Sequence, residues 1–408
     1  MDHLAIDLPG VSSDLLEELR QAAISVGSKR LAVVGGVVRD GLLHQLQRQP
    51  WMGVADLDLV VEGDAAAVAT ALQQRCGSIR LPRLIEHGSF GTVALTLDGM
   101  AVDLATARAE VYPAPADNPV VRPGTLETDL LRRDFTINAM ALDLLSGELI
   151  DRHSGCTHLA ERQLVFLHEG SVSDDPTRLI RAARYGARLG FELSPEALNQ
   201  VEDTIARWPW PWRPGDPADQ CPPALSTRLQ MELQRLIEHE PWQEALDRLD
   251  RWGALVLIDP ALQRDPERSR RLRWAHRLAV PLLPALLSAA ERPLETAQRL
   301  HLSGAQLQWL EQLPSLRRWA ENEAPPLQAL PSQWTEALEA AGWNPGTVAL
   351  LICERPQTWR PLLRWWGRWR HGRASLTARD LIAAGWSPGP ALGAELRRLR
   401  LVELDQGR

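Results

Sequence analysis

The stretch LAVVGGVVRDGLL, residues 31–43, opens with four apolar residues, breaks at Gly35-Gly36 and resumes as an amphipathic run. This predicts a short strand at Leu31–Val34, a tight turn and a helix beginning near Val37. Glycines at such a turn let the backbone approach a phosphate closely; the N–H groups at the helix start favour anions, and Arg39 lies one turn along. Further on, VADLDLVV (54–61) reads as a strand over Asp56–Val61. Side chains alternate along a strand, so Asp56 and Asp58 share one face while Leu57 and Leu59 share the other. Two carboxylates so close repel unless a cation neutralises them, and an oxygen-only donor set suits Mg²⁺. An exposed edge strand produces the same pattern without a metal. The upstream turn adds the second half of a site: donors for a triphosphate at Gly35, Gly36 and Arg39, carboxylates for the ions that bridge it.

Around this nucleus, SDLLEELRQAAISVG (13–27) spaces its apolar residues as an amphipathic helix after a Ser-Ser-Asp start. Strands are expected at Thr92–Leu97 and Ala101–Leu104, joined by a tight Asp98-Gly99 turn. Asp103, in MAVDLAT, is a candidate third carboxylate, either catalytic or supporting. LRRDFTINAMALD (131–143) reads as helical, with Arg133 available to a phosphate and Asp134 to an arginine. Beyond about residue 150 strand signals nearly vanish, and helices alternate with Pro-rich breaks at 208–223, 259–266, 324–332 and 386–390. The expected fold class is α+β: a head with a mixed sheet and helices, followed by a long all-α body.

In SVSDDPTRLIRAARYGARLGF (171–191), Ser173 or Asp174 is expected to cap a helix with Pro176 in its first turn. Arg178, Arg181 and Arg184 then recur every third residue as a basic stripe, with Asp175 and Arg178 on one face. A carboxylate beside a guanidinium matches the base edge of cytosine or adenine, where an amino donor adjoins a ring-nitrogen acceptor; uracil and guanine present a carbonyl instead. An exposed salt bridge is the plainer reading of the same pair. PLLRWWGRWRHGRASLTARD (361–380) interleaves arginine with Trp365, Trp366 and Trp369, as expected where RNA phosphates and bases are engaged, or where a tryptophan-packed helix has a wet side.

Composition excludes a uniformly basic, histone-like surface: the chain carries 52 acidic and 45 basic side chains, net −7. The balance is uneven. Residues 1–240 hold 34 acidic and 22 basic groups and residues 241–408 hold 18 and 23, which suits a front that handles cations and a rear that touches a polyanion. Cys76, Cys156, Cys221 and Cys353 are scattered without Cys-x-x-Cys or Cys/His spacing, so reduced thiols are expected. The acidic N-terminus lacks the basic and apolar regions of a signal peptide, and no apolar run is long enough to span a bilayer; a cytoplasmic protein without membrane partners is the expectation.

Seven segments, in order, resemble the class II tRNA nucleotidyltransferase and poly(A) polymerase family: GGVVRDGLL (35–43), DLD (56–58), HGSFGTVAL (87–95), VDLATARAEVY (102–112), LETDLLRRDFTINAMAL (126–142), DDPTRLIRAARYGARLGF (174–191) and LTARDLIAAGWSPGPALGAEL (376–396). The resemblance implies a polymerase-β-like head over 1–150, a nucleotide-selecting helical neck over 151–255, a helical body over 256–375 and a tRNA-binding tail over 376–408. It implies Asp56 and Asp58 as Mg²⁺ ligands, with Asp103 beside them, and Gly35, Gly36, Arg39 and Arg133 at the triphosphate. Asp175, Arg178, Arg181 and Arg184 become the nucleotide-selecting set. The implied reaction is untemplated addition to a tRNA 3′ end from CTP and ATP by in-line attack on the α-phosphorus. In this family CC-adding enzymes lack a flexible loop before the RRDF segment, and residues 110–124 (EVYPAPADNPVVRPG) resemble that loop, so addition of CCA or of the terminal A is expected ahead of CC addition or poly(A) synthesis. No His-Asp phosphohydrolase motif is visible. A non-catalytic RNA-binding relative is the alternative from another class.

Overall fold

The computed structural model describes residues 8–51, 53–87 and 91–407; the first seven residues of the acidic N-terminus and Gly88, Ser89 and Phe90 of the HGSFGTVAL segment lie outside them. The chain divides into two compact units, Met1–Pro211 with Pro222–Glu232 and Glu238–Gly253, and Trp212–Cys221 with Leu233–Ile237 and Ala254–Arg408.

The first unit begins with α1 (Ser13–Ser25), whose start is fixed by the Ser12 hydroxyl accepting from the Asp14 N–H. Strand β1 (Arg30–Val34) and helix α2 (Gly36–Gln47) follow, then β2 (Asp56–Glu62) and α3 (Ala65–Arg80). Next come β3 (Arg83–His87), β4 (Thr92–Leu97), β5 (Met100–Thr106), β6 (Arg108–Val111) and β7 (Val120–Pro123). Helix α4 (Leu126–Leu131), strands β8 (Met140–Asp143) and β9 (Leu149–Asp151) and helix α5 (Gly155–Ala160) follow. Seven strands form one sheet in the order β3-β4-β5-β2-β1-β8-β9. Only β2 and β5 run parallel; the other neighbours are antiparallel, so the sheet is mixed. The fully buried Leu31, Val33, Leu57, Leu59, Val61, Val102 and Leu104 supply the apolar inner surface. The β4–β5 turn has positive φ at both Asp98 and Gly99, the conformation a two-residue hairpin of right-handed twist requires.

Two readings of the sequence are corrected. Residues 131–143 are not one helix: α4 ends at Leu131, Thr136–Asn138 makes a single 3₁₀ turn, and Met140–Asp143 is β8, a strand between β1 and β9. All four residues of β8 are buried, and a strand covered on both faces loses the alternation by which strands are recognised. Residues 110–124 are not plain loop either, because β6 and β7 pair antiparallel from Arg108↔Pro123 to Val111↔Val120 and form a two-stranded arm beside the main sheet.

The rest of the first unit is helical apart from the two-residue strands β10 (Gln163–Leu164) and β11 (Glu192–Leu193), which pair in parallel. Its helices are α6 (Ser171–Asp174), α7 (Thr177–Leu189), α8 (Pro195–Arg207), α9 (Thr227–His239), which also enters the second unit, and α10 (Trp242–Arg251). The second unit holds α11 (Arg268–Arg277), α12 (Leu282–Leu287), α13 (Pro293–Arg299), α14 (Gly304–Asn322), α15 (Pro331–Ala340), α16 (Pro345–Glu354), α17 (Trp359–Gly367), α18 (Ala378–Ala383) and α19 (Pro390–Asp405). Trp334 is fully buried in its core. Among the described residues no helix is long and apolar enough to cross a membrane.

Leu57 is fully buried between two outward-facing aspartates, so it anchors the strand that presents them. Leu57→Ala is expected to lower stability by about 2–5 kcal/mol, measured by urea unfolding.

Candidate active site

The register of β2 against β5 sets Asp58 directly opposite Asp103. With Asp56 two residues earlier on the same face, one ligand oxygen from each of the three carboxylates lies within 4.8 Å of the others. The Asp58 carboxyl is pushed above its ordinary range by partial burial and by the like charges of Asp56 and Asp103, against a lowering pull from Arg133. Three carboxylates crowded in this way, accessible from outside and offering only oxygen, fit a hard divalent cation. Asp56 and Asp58 were the metal candidates read from the sequence, and the pairing of β2 with β5 brings Asp103, the candidate third carboxylate, to them.

Facing these carboxylates is the β1–α2 turn. Gly35 has φ +75°, and a Cβ added there would stand 3.6 Å from Asp58 Oδ2 and 3.5 Å from Arg133 Nη1, so turn, carboxylate and guanidinium converge on one spot. No side chain caps α2, which leaves its leading N–H groups available to an anion. Arg133 Nη2 donates to Asp129 Oδ1 at 3.0 Å, while the same fully buried carboxylate also takes Arg132 at 2.9 Å through Oδ2. Asp129 escaped the sequence reading, although its i,i+3 and i,i+4 spacing to the two arginines was the available signal. Arg39 is buried instead of lining the opening: it donates twice to Asp40, at 2.8 and 2.9 Å, and once to Asn138 Oδ1 at 2.8 Å. Its Nη2 stands 3.4 Å from where a Gly36 Cβ would be, so it backs the turn from within.

The segment 171–191 differs from the expected single capped helix. Helix α6 ends at Asp174, Asp175 is extended as its position before proline requires, and α7 starts after Pro176. Neither Ser173 nor Asp174 caps α7: Pro176 holds the N-cap position, and the Asp175 Oδ1 just before it accepts from the Thr177 N–H at 3.0 Å and from the Thr177 hydroxyl at 2.6 Å. The side chains of Asp175 and Arg178 do not pair with each other, although the Arg178 N–H donates to the Asp175 carbonyl at 3.1 Å. Arg228 approaches Asp175 at 3.5 Å, whereas the buried Arg178 donates to the Arg132 and Ser171 carbonyls at 2.9 and 3.3 Å. Both charges act on Tyr112 in the arm that follows β6: burial and Asp175 push its phenol up, with Arg178 opposing. Tyr112 and Arg228 were not singled out in the sequence. Arg228 also donates to the Asp117 carbonyl at 2.9 Å and thereby ties the arm to Asp175.

Arg181 and Arg184 are held along α7. Arg181 pairs with Asp134 at 2.7 Å, the arginine that this aspartate was expected to hold, and Arg184 pairs with Glu232 and, at 3.2 Å, with Glu240. Burial alone would raise the Asp134 carboxyl; the Arg181 charge, the Asn138 amide and the Phe135 N–H outweigh it and hold its pKa below the ordinary value. His158 Nδ1 lies 2.9 Å from the Thr136 hydroxyl.

A family model described as the poly A polymerase head domain matches residues 31–165. The CC-adding tRNA nucleotidyltransferase of Deinococcus radiodurans is 35% identical over 382 residues, covering 90% of this chain and 83% of that protein. The A-adding tRNA nucleotidyltransferase of Aquifex aeolicus is 40% identical over 179 residues, 43% of this chain and 20% of that protein. Among solved structures, an apo CCA-adding enzyme matches with TM-score 0.74 at 23% identity, covering 97% of this chain and 93% of that one. The Thermotoga maritima CCA-adding enzyme complexed with tRNA gives 0.70 at 23% identity, with coverage of 98% and 93%. At that identity the two structures speak to fold alone, and the fold is that of a polymerase-β-like nucleotidyltransferase head followed by helices. The similarity to the D. radiodurans protein along most of both chains goes further: this chain is an enzyme that belongs to the tRNA nucleotidyltransferase and poly(A) polymerase family.

Asp134 supplies a pH-dependent part of the stability. Because its folded pKa lies below the unfolded value of about 3.9, its contribution is present in full well above pH 4 and is lost as the pH falls through the folded pKa. Asp134→Asn is therefore expected to lower the thermal midpoint clearly at pH 7 and progressively less toward pH 3, as followed by circular dichroism.

Proposed function

We propose that this protein extends tRNA 3′ ends from CTP and ATP without a nucleic-acid template, using Mg²⁺, in the cytoplasm where these substrates meet. The observation that carries the reading is the convergence of Asp56, Asp58 and Asp103 on an uncapped helix start with Arg133 beside it. Asp56 and Asp58 would hold the ions, with Asp103 completing the acidic face. When bound, such ions stabilise negative charge on the attacking and departing oxygens. The N–H groups after Gly35 and Gly36 and the guanidinium of Arg133 hold and orient the triphosphate. Arg39 keeps the turn in shape from its buried position and reaches a phosphate only by giving up Asp40 or Asn138. A 3′-hydroxyl oxygen bonds to the α-phosphorus and pyrophosphate leaves.

Base choice is assigned to Asp175 and Arg178, with Arg181 and Arg184 keeping α7 in place through their acidic partners. An acceptor and a donor fixed by different neighbours present the order that cytosine and adenine complement, and leave polar groups unpaired against uracil or guanine. We assign 1–150 to the head, 151–255 to the neck, 256–375 to the body and 376–408 to the tail.

The arm over 110–124 supports addition of CCA or of its terminal A. A second reading, CC addition, is favoured by the name of the D. radiodurans relative. Transcripts ending at the discriminator base, at C or at CC, each incubated with CTP or ATP alone, separate them: A is expected on the CC-ended transcript, and incorporation of C without A reassigns the protein as CC-adding. Asp58→Ala is expected to slow addition on the order of 10³-fold, since metal-held charge is worth several kcal/mol, with tRNA affinity in a filter-binding assay changed less than about twofold. Unaltered turnover in that variant defeats the carboxylate assignment.

A further inference from the structure

Arg178 is 4% exposed, and its guanidinium meets three partners. Nη2 donates to the Arg132 carbonyl at 2.9 Å, Nη1 donates to the Ser171 carbonyl at 3.3 Å, and Nη1 also lies 3.4 Å from His168 Nε2. Two of these partners are backbone. The third, His168 in the loop between β10 and α6, is a side chain that substitution can remove. A guanidinium offers only donors and stays charged, so the imidazole nitrogen that faces it must be the acceptor. This fixes the tautomer: the proton sits on Nδ1, and the lone pair of Nε2 is directed at Arg178.

The other edge of the ring is arranged to match. A Cβ added at Gly170 would stand 3.4 Å from both His168 Nδ1 and Asp174 Oδ2, so the protonated edge and the Asp174 carboxylate flank the same glycine. Carboxylate, imidazole and guanidinium thus follow one another from α6 to α7. Helix α8 reaches the loop with the uncharged Gln200, whose amide donates to the His168 carbonyl at 3.1 Å and to that of Glu169 at 2.6 Å. Burial and the Arg178 charge push the half-buried imidazole below its ordinary pKa, with Asp174 opposing, so the ring is neutral at about pH 7. A second proton would remove the acceptor and set a like charge against Arg178.

We propose that neutral His168 is a positioning residue for base choice: by accepting from Arg178 it holds the guanidinium where, beside Asp175, it meets the incoming base. This rests on the assignment of base choice to Asp175 and Arg178 made above; the contact between His168 and Arg178 does not. Selection then weakens in acid. As the pH falls through the folded pKa of His168, which lies below the ordinary value, Arg178 faces an imidazolium in place of an acceptor and the KM for nucleotide rises.

The test uses the full chain, a tRNA transcript, the nucleotide that the chain incorporates, and UTP. At about pH 7.5, His168→Leu is expected to raise KM about tenfold, as for one hydrogen bond to a charged group, to leave kcat within about twofold, and to lower the preference over UTP. His168→Gln supplies an acceptor that does not titrate. It should restore most of the lost affinity and lack the part of the KM rise toward about pH 5.5 that His168 adds in the unsubstituted chain, since metal site and nucleotide titrate alike in both. In the ¹⁵N-histidine-labelled chain, the resonances missing from His168→Gln are those of His168; they should report a proton on Nδ1 and a bare Nε2, and a higher imidazole pKa in Arg178→Met. A proton on Nε2, or a pKa that Arg178→Met leaves unmoved, overturns the proposal. Should His168→Leu fail to fold, the pH profile of His168→Gln and these spectra carry the test. Arg178→Met also keeps the two readings apart: if it loses the preference over UTP while His168→Leu retains both KM and preference, only the positioning role falls, whereas a preference retained in Arg178→Met removes the base-choice assignment and the positioning role with it.

Discussion

Mutual repulsion of three carboxylates is the constraint around which the head is organised. Nothing in the chemistry of Asp56, Asp58 and Asp103 draws them together; the pairing of β2 with β5 does. That pairing is fixed from the opposite face, where Leu57, Leu59, Val102 and Leu104 are buried. A slip of one residue would bury the aspartates and expose the leucines, so the apolar surface defines the register and thereby compresses the charge. The stability of the sheet maintains an arrangement that its polar edge disfavours, and the cation proposed for this site would relieve that repulsion.

Guanidinium groups answer those carboxylates, and the structure sorts them by how fully they are used. Arg39 spends its donors on Asp40 and Asn138, Arg181 on Asp134, and Arg184 on Glu232 and Glu240. Arg133 is held by a single contact to Asp129 while its other end stands beside Gly35 and Asp58. Arginines alike in sequence thus divide into groups that brace the fold and groups that remain able to engage a ligand, a distinction that spacing alone does not contain.

The parts legible in the sequence were those whose local pattern coincides with their burial. The β1–Gly35–α2 unit and the alternation of Asp56, Leu57, Asp58 and Leu59 read directly, as did the Asp98-Gly99 hairpin. Strand β8 did not, because all of its residues are buried and its Met-Ala-Leu composition imitates a helix. The β6–β7 arm was hidden by its prolines, and the turn that Asp175 makes with Thr177 by the short helix α6 that ends just before it. Long-range partners were out of reach: Glu232 and Glu240 on Arg184, and Arg228 on Asp175, come from segments far along the chain.

The one parallel pair in the sheet bears on how the enzyme comes into being. Strands β2 and β5 are neighbours in space, but α3 and the β3–β4 hairpin intervene in the chain, so their pairing closes a long loop, whereas β4 and β5 meet across a two-residue turn. Loop closure makes such contacts slow relative to hairpins. The ladder that aligns Asp58 with Asp103 is therefore expected to form after the β4–β5 hairpin. A nascent or partly folded head does not yet carry the assembled acidic face, and competence for chemistry arrives together with the completed sheet.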